Sequence, residues 1–204
     1  MARRQQLTET QVMELFDPPT EQRELMRHYI VSAADLAAVR RCRGDHNRLG
    51  HALMLCYLRF PGRALRAGER PPAALLGFVA GQVKVLPGAI SDYLAGERTR
   101  QRQSVECQDQ LGLRPFGKRA AAELMGTLLP QAIENDRLAF LAGLVMETCR
   151  QRGIVVPSVA GLERQCSQLR HDAREEVHRR LLVTRVLLVS ASTALFEAMA
   201  SPLT

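Results

Sequence analysis

The chain is 204 residues long, 46% hydrophobic and 24% charged, with a formal net charge of +7, five cysteines and no tryptophan. That length allows one or two domains with cores of their own, and the positive balance points to a polyanionic partner while saying nothing of the fold. The cysteines (Cys42, Cys56, Cys107, Cys149, Cys166) are odd in number, scattered and without a C-x-x-C pair. This excludes a disulfide framework or a zinc ribbon and suits a reducing cytosol. The opening MARRQQLTETQ has no apolar core region and is no signal peptide, so a cytoplasmic protein is expected. Of the 28 basic residues only Lys84 and Lys118 are lysine. Arginine forks match phosphates and guanine, although a GC-rich coding sequence would give the same bias.

The hydrophobic spacing is helical nearly throughout, and no run has the period of a strand, so an all-α fold is expected. Thr8 with Gln11 reads as a capping box opening a helix to about Phe16, broken by Pro18-Pro19. Thr20 restarts a helix that carries Leu25 and Met26 and ends near Tyr29. Ser32 with Asp35 is a second capping box, leading into AADLAAVRRCR, which Gly44 closes. The next helix starts at Asp45 or Asn47, is polar at first and apolar through Leu58, and stops at Phe60-Pro61-Gly62.

Helices from Ser32 and Asp45 joined at Gly44 make a helix-turn-helix plausible. A helix that is polar in its first turn and apolar afterwards has the layout of a recognition helix, whose start reaches base edges while the rest packs on its own domain. Arg40, Arg41, Arg43, His46, Asn47 and Arg48 are its candidate contacts. A plain helical hairpin with solvated charges at the bend fits the same pattern. The stretch Gly62 to Pro72 reads as a linker able to lie along a phosphate backbone, with Arg63 and Arg66 as contacts.

A helix over about Ala73 to Lys84, a VLPG turn and AISDYL form a second helix-turn-helix candidate. GERTRQRQ follows, and its alternating Arg98, Arg100 and Arg102 can grip phosphates on one side of a duplex or form a solvated helix end. Lys84, Arg114, Lys118 and Arg119, at the breaks between helices, complete the candidate set. From Ala120 to Arg152 two apolar helices form a packing unit, capped by Gly153. Pro157-Ser158 opens a long helix, VAGLERQCSQLRHDAREEVHRRL, followed by an apolar tail, Leu181 to Thr204, too interrupted for a comfortable membrane span. The expected units are 1–66, 67–152 and 153–204.

Catalytic chemistry does not assemble. Cys42 and His46 flank Gly44, while His51/Cys56 and Cys166/His171 are five apart and off one helical face, so neither a metal nor a cofactor is expected. His171-x-x-Arg174 lacks the downstream tyrosine a tyrosine recombinase needs, and no glycine-rich phosphate loop is present.

The combination RGDHNRLG…LCYLRFPGR, with ARRQQLTETQ, LMRHYIVSAADLAAVR and LGLRPF, resembles the N-terminal region of Tn-three family transposases, collinearly from about Met1 to Arg180. In that family this region is helical and binds the terminal inverted repeats of the transposon through tandem helix-turn-helix-like units. The resemblance implies that Arg43, His46, Asn47 and Arg48 belong to the first contacting unit and Arg98 to Arg102 to the second. The family's catalytic Asp-Asp-Glu domain lies far downstream of the similar stretch, so strand cleavage is not carried over. The partner implied is double-stranded DNA, in a bacterial, nucleoid-associated setting, with self-association into a dimer left open and neither membrane nor small-molecule substrate expected. A helical interaction module acting through the apolar tail, or a shortened transposase-like repressor, are the alternatives.

Overall fold

Both capping boxes read from the sequence form. Thr8 Oγ1 accepts from Gln11 N at 3.3 Å while Gln11 Oε1 accepts from Thr8 N at 3.0 Å, which starts α1 (Glu9–Phe16). Ser32 and Asp35 exchange the same pair of bonds at the start of α3 (Ala33–Arg41), after the short α2 (Gln22–His28). In this computed structural model the chain is described over residues 6–200, and its side chains over 6–185. Ten α-helices and no strand lie within that range. They continue with α4 (Asp45–Arg59), α5 (Ala73–Val83), α6 (Ile90–Ala95), α7 (Glu97–Gln110), α8 (Lys118–Glu134), α9 (Leu138–Gln151) and α10 (Val159–Ala200).

Two apolar clusters hold these helices. One gathers Leu25, Val39, Leu49, Leu53, Tyr57, Leu75, Val79, Ile90, Tyr93 and Cys107, from α2 through α7. It draws on both sides of position 66, so the segments 1–66 and 67–111 contribute to one core. The other gathers Leu7 and Phe16 with Leu124, Leu128, Leu141, Val145, Leu162, Cys166 and Leu169, from α1 and α8 to α10. A fully buried leucine contributes about 1.5–3 kcal/mol. The clusters are stitched where the α9–α10 connection crosses the end of α4. Val156 N donates to Gly62 O at 2.8 Å, and the Arg150 guanidinium lies 5.2 Å over the Phe60 ring while donating to Pro61 O at 3.2 Å.

The central helix is α4. Ten consecutive residues, Leu49 to Leu58, are buried, because α3, α5, α6 and α7 pack around it. Gly50 is what lets α6 in. A Cβ there would stand 2.2–2.4 Å from three ring carbons of Tyr93, a residue only 1% exposed. Gly50→Ala is therefore expected to destabilise the fold by about 1–3 kcal/mol despite alanine's better helix propensity. A lowered urea midpoint with unchanged m-value reads it, and an unchanged midpoint refutes the contact.

The Gly62 to Pro72 stretch is packed down in part, with Arg63 and Leu65 buried at 4% and 3% exposure while Arg66, Ala67, Gly68 and Arg70 are exposed. Among the described residues no single helix is long and apolar enough to cross a membrane. The tail expected as a separate feature continues α10 to Ala200, about 63 Å of unbroken helix. Its side chains beyond 185 and residues 201–204 lie outside the described part.

Candidate nucleic-acid interface

The bend between α3 and α4 is built by its own side chains. Gly44 sits at φ 80°, a region that favours glycine, and a Cβ there would come within 2.8 Å of the His46 ring. Asn47 Nδ2 donates to Arg43 O at 2.8 Å and Arg48 Nε donates to Cys42 O at 3.2 Å. Arg48 also reaches Asp45 Oδ1 at 3.4 Å, an exposed pair of small value. Two of the expected contact residues thus fold back to staple the turn. Arg40, Arg41 and Arg43 are exposed, with no acidic partner among the described residues. Arg40 and Arg41 fall in the last turn of α3, where cations suit the helix dipole.

Helix α7 presents the second group. Arg98 and Arg102 are one turn apart and exposed, and Arg102 pairs with Glu106 at 3.5 Å. Arg100 lies two residues from each, about 200° round the helix, and points the other way. It is 7% exposed and donates to Leu94 O at 3.1 Å. The three alternating arginines therefore do not form one face. Arg100, and likewise Arg63, whose guanidinium is enclosed by Glu69 and Phe16 O, are tied up inside the fold and do not face water.

The turn and α7 meet directly. Gln103 Nε2 donates to Asn47 O at 3.3 Å and lies 3.5 Å from Cys42 Sγ. Between them opens a cleft of about 700 Å³ whose lining includes Arg41, Arg43, Asn47, His51, Arg102 and Glu106. The sequence placed these arginines in separate units; the packing of α7 on α4 brings them to one cleft. Gln103 was missed because α7 carries almost no apolar signal. The spacing of its buried residues, Arg100, Gln103 and Cys107, is nevertheless that of one helical face.

At the floor of the cleft His51 is 4% exposed, and the Cys107 sulfur lies 3.6 Å from its Nε2. Burial lowers the His51 pKa from its ordinary value against hydrogen bonding from Gln110, and burial raises that of Cys107. Both shifts favour the neutral forms, the reverse of a thiolate–imidazolium pair. No group of three or more His, Cys, Asp or Glu among the described residues could hold a metal ion.

The remaining candidates lie elsewhere. Arg66 is exposed, its guanidinium 5.4 Å over the Phe16 ring. Lys84 is exposed at the left-handed C-cap of α5. Arg114 and Arg119 both pair with Glu123, at 3.2 and 3.1 Å, and their hydrogen bonds hold its carboxyl below the usual range. Lys118 is exposed at the start of α8.

Fold and cleft together define a helical module with a basic, water-facing turn. A family model described as "Domain of unknown function (DUF4158)" matches residues 7–169, and the chain belongs to that family. It is 35% identical over 181 residues to the transposase for transposon Tn3926 of Escherichia coli, and 35% identical over 182 residues to that for Tn501 of Pseudomonas aeruginosa. Each alignment covers 89% of this chain and 18% of the relative. The transposase for Tn21 of Escherichia coli is 34% identical over 168 residues, 82% of this chain and 17% of its own. The chain thus spans less than a fifth of the length of these relatives, and it is similar to the N-terminal region of Tn-three family transposases, as its motifs implied.

Proposed function

We propose that this chain is a DNA-recognition module of a Tn-three family transposase that binds the transposon's terminal inverted repeats without performing strand chemistry itself. One observation carries the reading. Arg41 and Arg43 from the α3–α4 turn line one cleft with Arg102 from α7, and Arg98 lies one turn before Arg102 on the exposed face of the same helix. Arg40, Arg41, Arg43 and Arg98 are exposed and have no acidic partner among the described residues. Such cations supply phosphate contacts, which set affinity and register without reading sequence. Asn47, whose Nδ2 is held by Arg43 O, keeps its Oδ1 for a base-edge donor and supplies discrimination at the start of α4.

The test is binding of a duplex carrying the encoding element's inverted repeat against a scrambled duplex, over a salt series. Arg102→Ala is expected to weaken both duplexes alike and to lower the salt slope by about 1. Asn47→Ala is expected to narrow the preference for the repeat by roughly tenfold. Equal affinity of the unaltered chain for both duplexes at every salt concentration sinks the specificity claim.

A second reading has one observation of its own. Among the described residues the last buried one of α10 is Ala173, after which Val177, Leu181, Leu182 and Val183 are 37–64% exposed along a continuing helix. These residues favour an oligomerisation surface. A stable oligomer in sedimentation, dispersed by Leu181→Asp and without affinity for DNA, would replace the first reading with this one.

A further inference from the structure

We propose that α7 is a reading helix, entering the major groove of the repeat with Gln101 and Val105 on base edges while the clefts along its two flanks receive the phosphate strands. The inference rests on the DNA reading and deepens it, since that reading gives α7 phosphate contacts alone.

Helix α7 is 14 residues long and is held from behind by its buried side. Arg100 donates to Leu94 O, Gln103 donates to Asn47 O, and the Cys107 sulfur lies 3.6 Å from His51 Nε2. Arg98, Gln101, Arg102 and Val105 follow the i, i+3, i+4, i+7 spacing of the opposite face, and all four are exposed. A cleft opens along each flank of this ridge. The first, of about 700 Å³, lies between Arg102 and the turn that carries Arg41 and Arg43. The second, of about 430 Å³, is lined by Gln101 and Val105 together with Ala64 and Leu65, and Arg66, next in the chain, is exposed. A helix with its side chains is about 10–12 Å across, and the major groove is about 12 Å wide. A helix flush with its surroundings cannot enter, because the phosphates on either side would meet protein. A ridge with a cleft on each flank can.

The make-up of the ridge suits bases as well as phosphates. Val105 is 54% exposed, a β-branched side chain that gains neither burial nor helix propensity where it stands. The Gln101 carboxamide has no hydrogen-bond partner among the described residues. An apolar side chain reads the thymine methyl, and a glutamine amide pairs with the N6 and N7 edge of adenine. Charge is graded along the same helix. Arg98 and Arg102 fall in its first half, Glu106 and Asp109 in its second. The first half therefore meets the duplex, as in reading helices generally, with the positive end of the helix dipole toward phosphate. Glu97, the carboxylate of that half, can accept from a cytosine amino group.

The experiment measures binding of the full chain and of two variants to the repeat duplex and to a scrambled one. Gln101 and Val105 are exposed, so Gln101→Ala and Val105→Ala are expected to leave the melting temperature unchanged. On the repeat, Gln101→Ala is expected to weaken binding roughly tenfold and Val105→Ala about threefold, with scrambled-duplex affinity and salt slope unchanged. The contacts are located with repeat duplexes in which single thymines are replaced by uracil, lacking the methyl, or single adenines by 7-deazaadenine, lacking N7. One uracil position is expected to weaken the unaltered chain about threefold and Val105→Ala no further. One 7-deazaadenine position is expected to weaken the unaltered chain and leave Gln101→Ala unaffected. Full preference for the repeat in both variants, with every altered base costing them what it costs the unaltered chain, overturns the inference and leaves the DNA reading standing. An unaltered chain that does not tell the repeat from the scrambled duplex sinks the DNA reading itself, and the inference with it.

Discussion

Asp35→Ala is expected to lower the stability of the fold by about 3–5 kcal/mol. Its carboxylate, 3% exposed as a side chain, accepts from Arg59 Nη2 on both oxygens at 2.7 Å, from Ser32 N at 2.8 Å, from Ser32 Oγ at 2.7 Å and from Gln110 Nε2 at 3.0 Å. One side chain therefore ties the start of α3 to the ends of α4 and α7, the three helices that frame the cleft. Removing it leaves the Arg59 guanidinium, 28% exposed, without its counter-charge.

The same site predicts a pH dependence. Burial alone would raise the Asp35 pKa, but the hydrogen bonds from Arg59 and Ser32 outweigh it and hold the carboxyl below its ordinary value. A depressed folded pKa stabilises above the unfolded value, near 4, and that stability is lost as pH falls through the folded value. Urea unfolding of the unaltered chain and of Asp35→Asn, compared at pH 7 and pH 3, measures it. The gap between them is expected to shrink at pH 3, and a gap of equal size at both would show that the ionised form contributes nothing.

Arg63→Ala is expected to cost a similar amount, about 3–5 kcal/mol, with no direct part in DNA binding. The Arg63 side chain is 5% exposed. It makes paired bonds to Glu69 at 2.6 and 2.7 Å, donates Nε to Phe16 O at 3.0 Å, and lies 5.0 Å over the Tyr57 ring. It thereby joins the end of α1 to the segment after α4. Lysine cannot reproduce the fork, so Arg63→Lys is also expected to destabilise, though less. A thermal melt against the unaltered chain reads both. If Arg63→Ala kept full stability and instead lowered the salt slope of DNA binding by about 1, Arg63 would be a surface contact and its burial in solution would be refuted.

Local features were legible because they are decided locally. Thr8/Gln11 and Ser32/Asp35 each satisfy orphan amides within four residues, so the starts of α1 and α3 follow from spacing alone. Gly44 as the bend before Asp45 and the break at Leu111 to Phe116 follow in the same way. Asp35 shows the limit. Its capping role is written in the sequence, but its pairing with Arg59 and Gln110, 24 and 75 residues away, is not. Arg98, Arg100 and Arg102 show the same limit on one helix. Their two-residue spacing already forbids a shared face, yet which of them turns inward depends on where α7 meets α4.

By itself, then, the sequence determined a helical chain, the positions of its caps and breaks, its basic charge and its likeness to the Tn-three transposases. Only the tertiary structure decided which basic residues face water, that Arg63 and Leu65 after Pro61 are buried, and that the turn at Gly44 and α7 border one cleft. The reason is physical. Capping and helical periodicity are set by neighbours within a turn or two, whereas the fate of an arginine depends on whether a distant carboxylate or carbonyl is brought near enough to offset its loss of water.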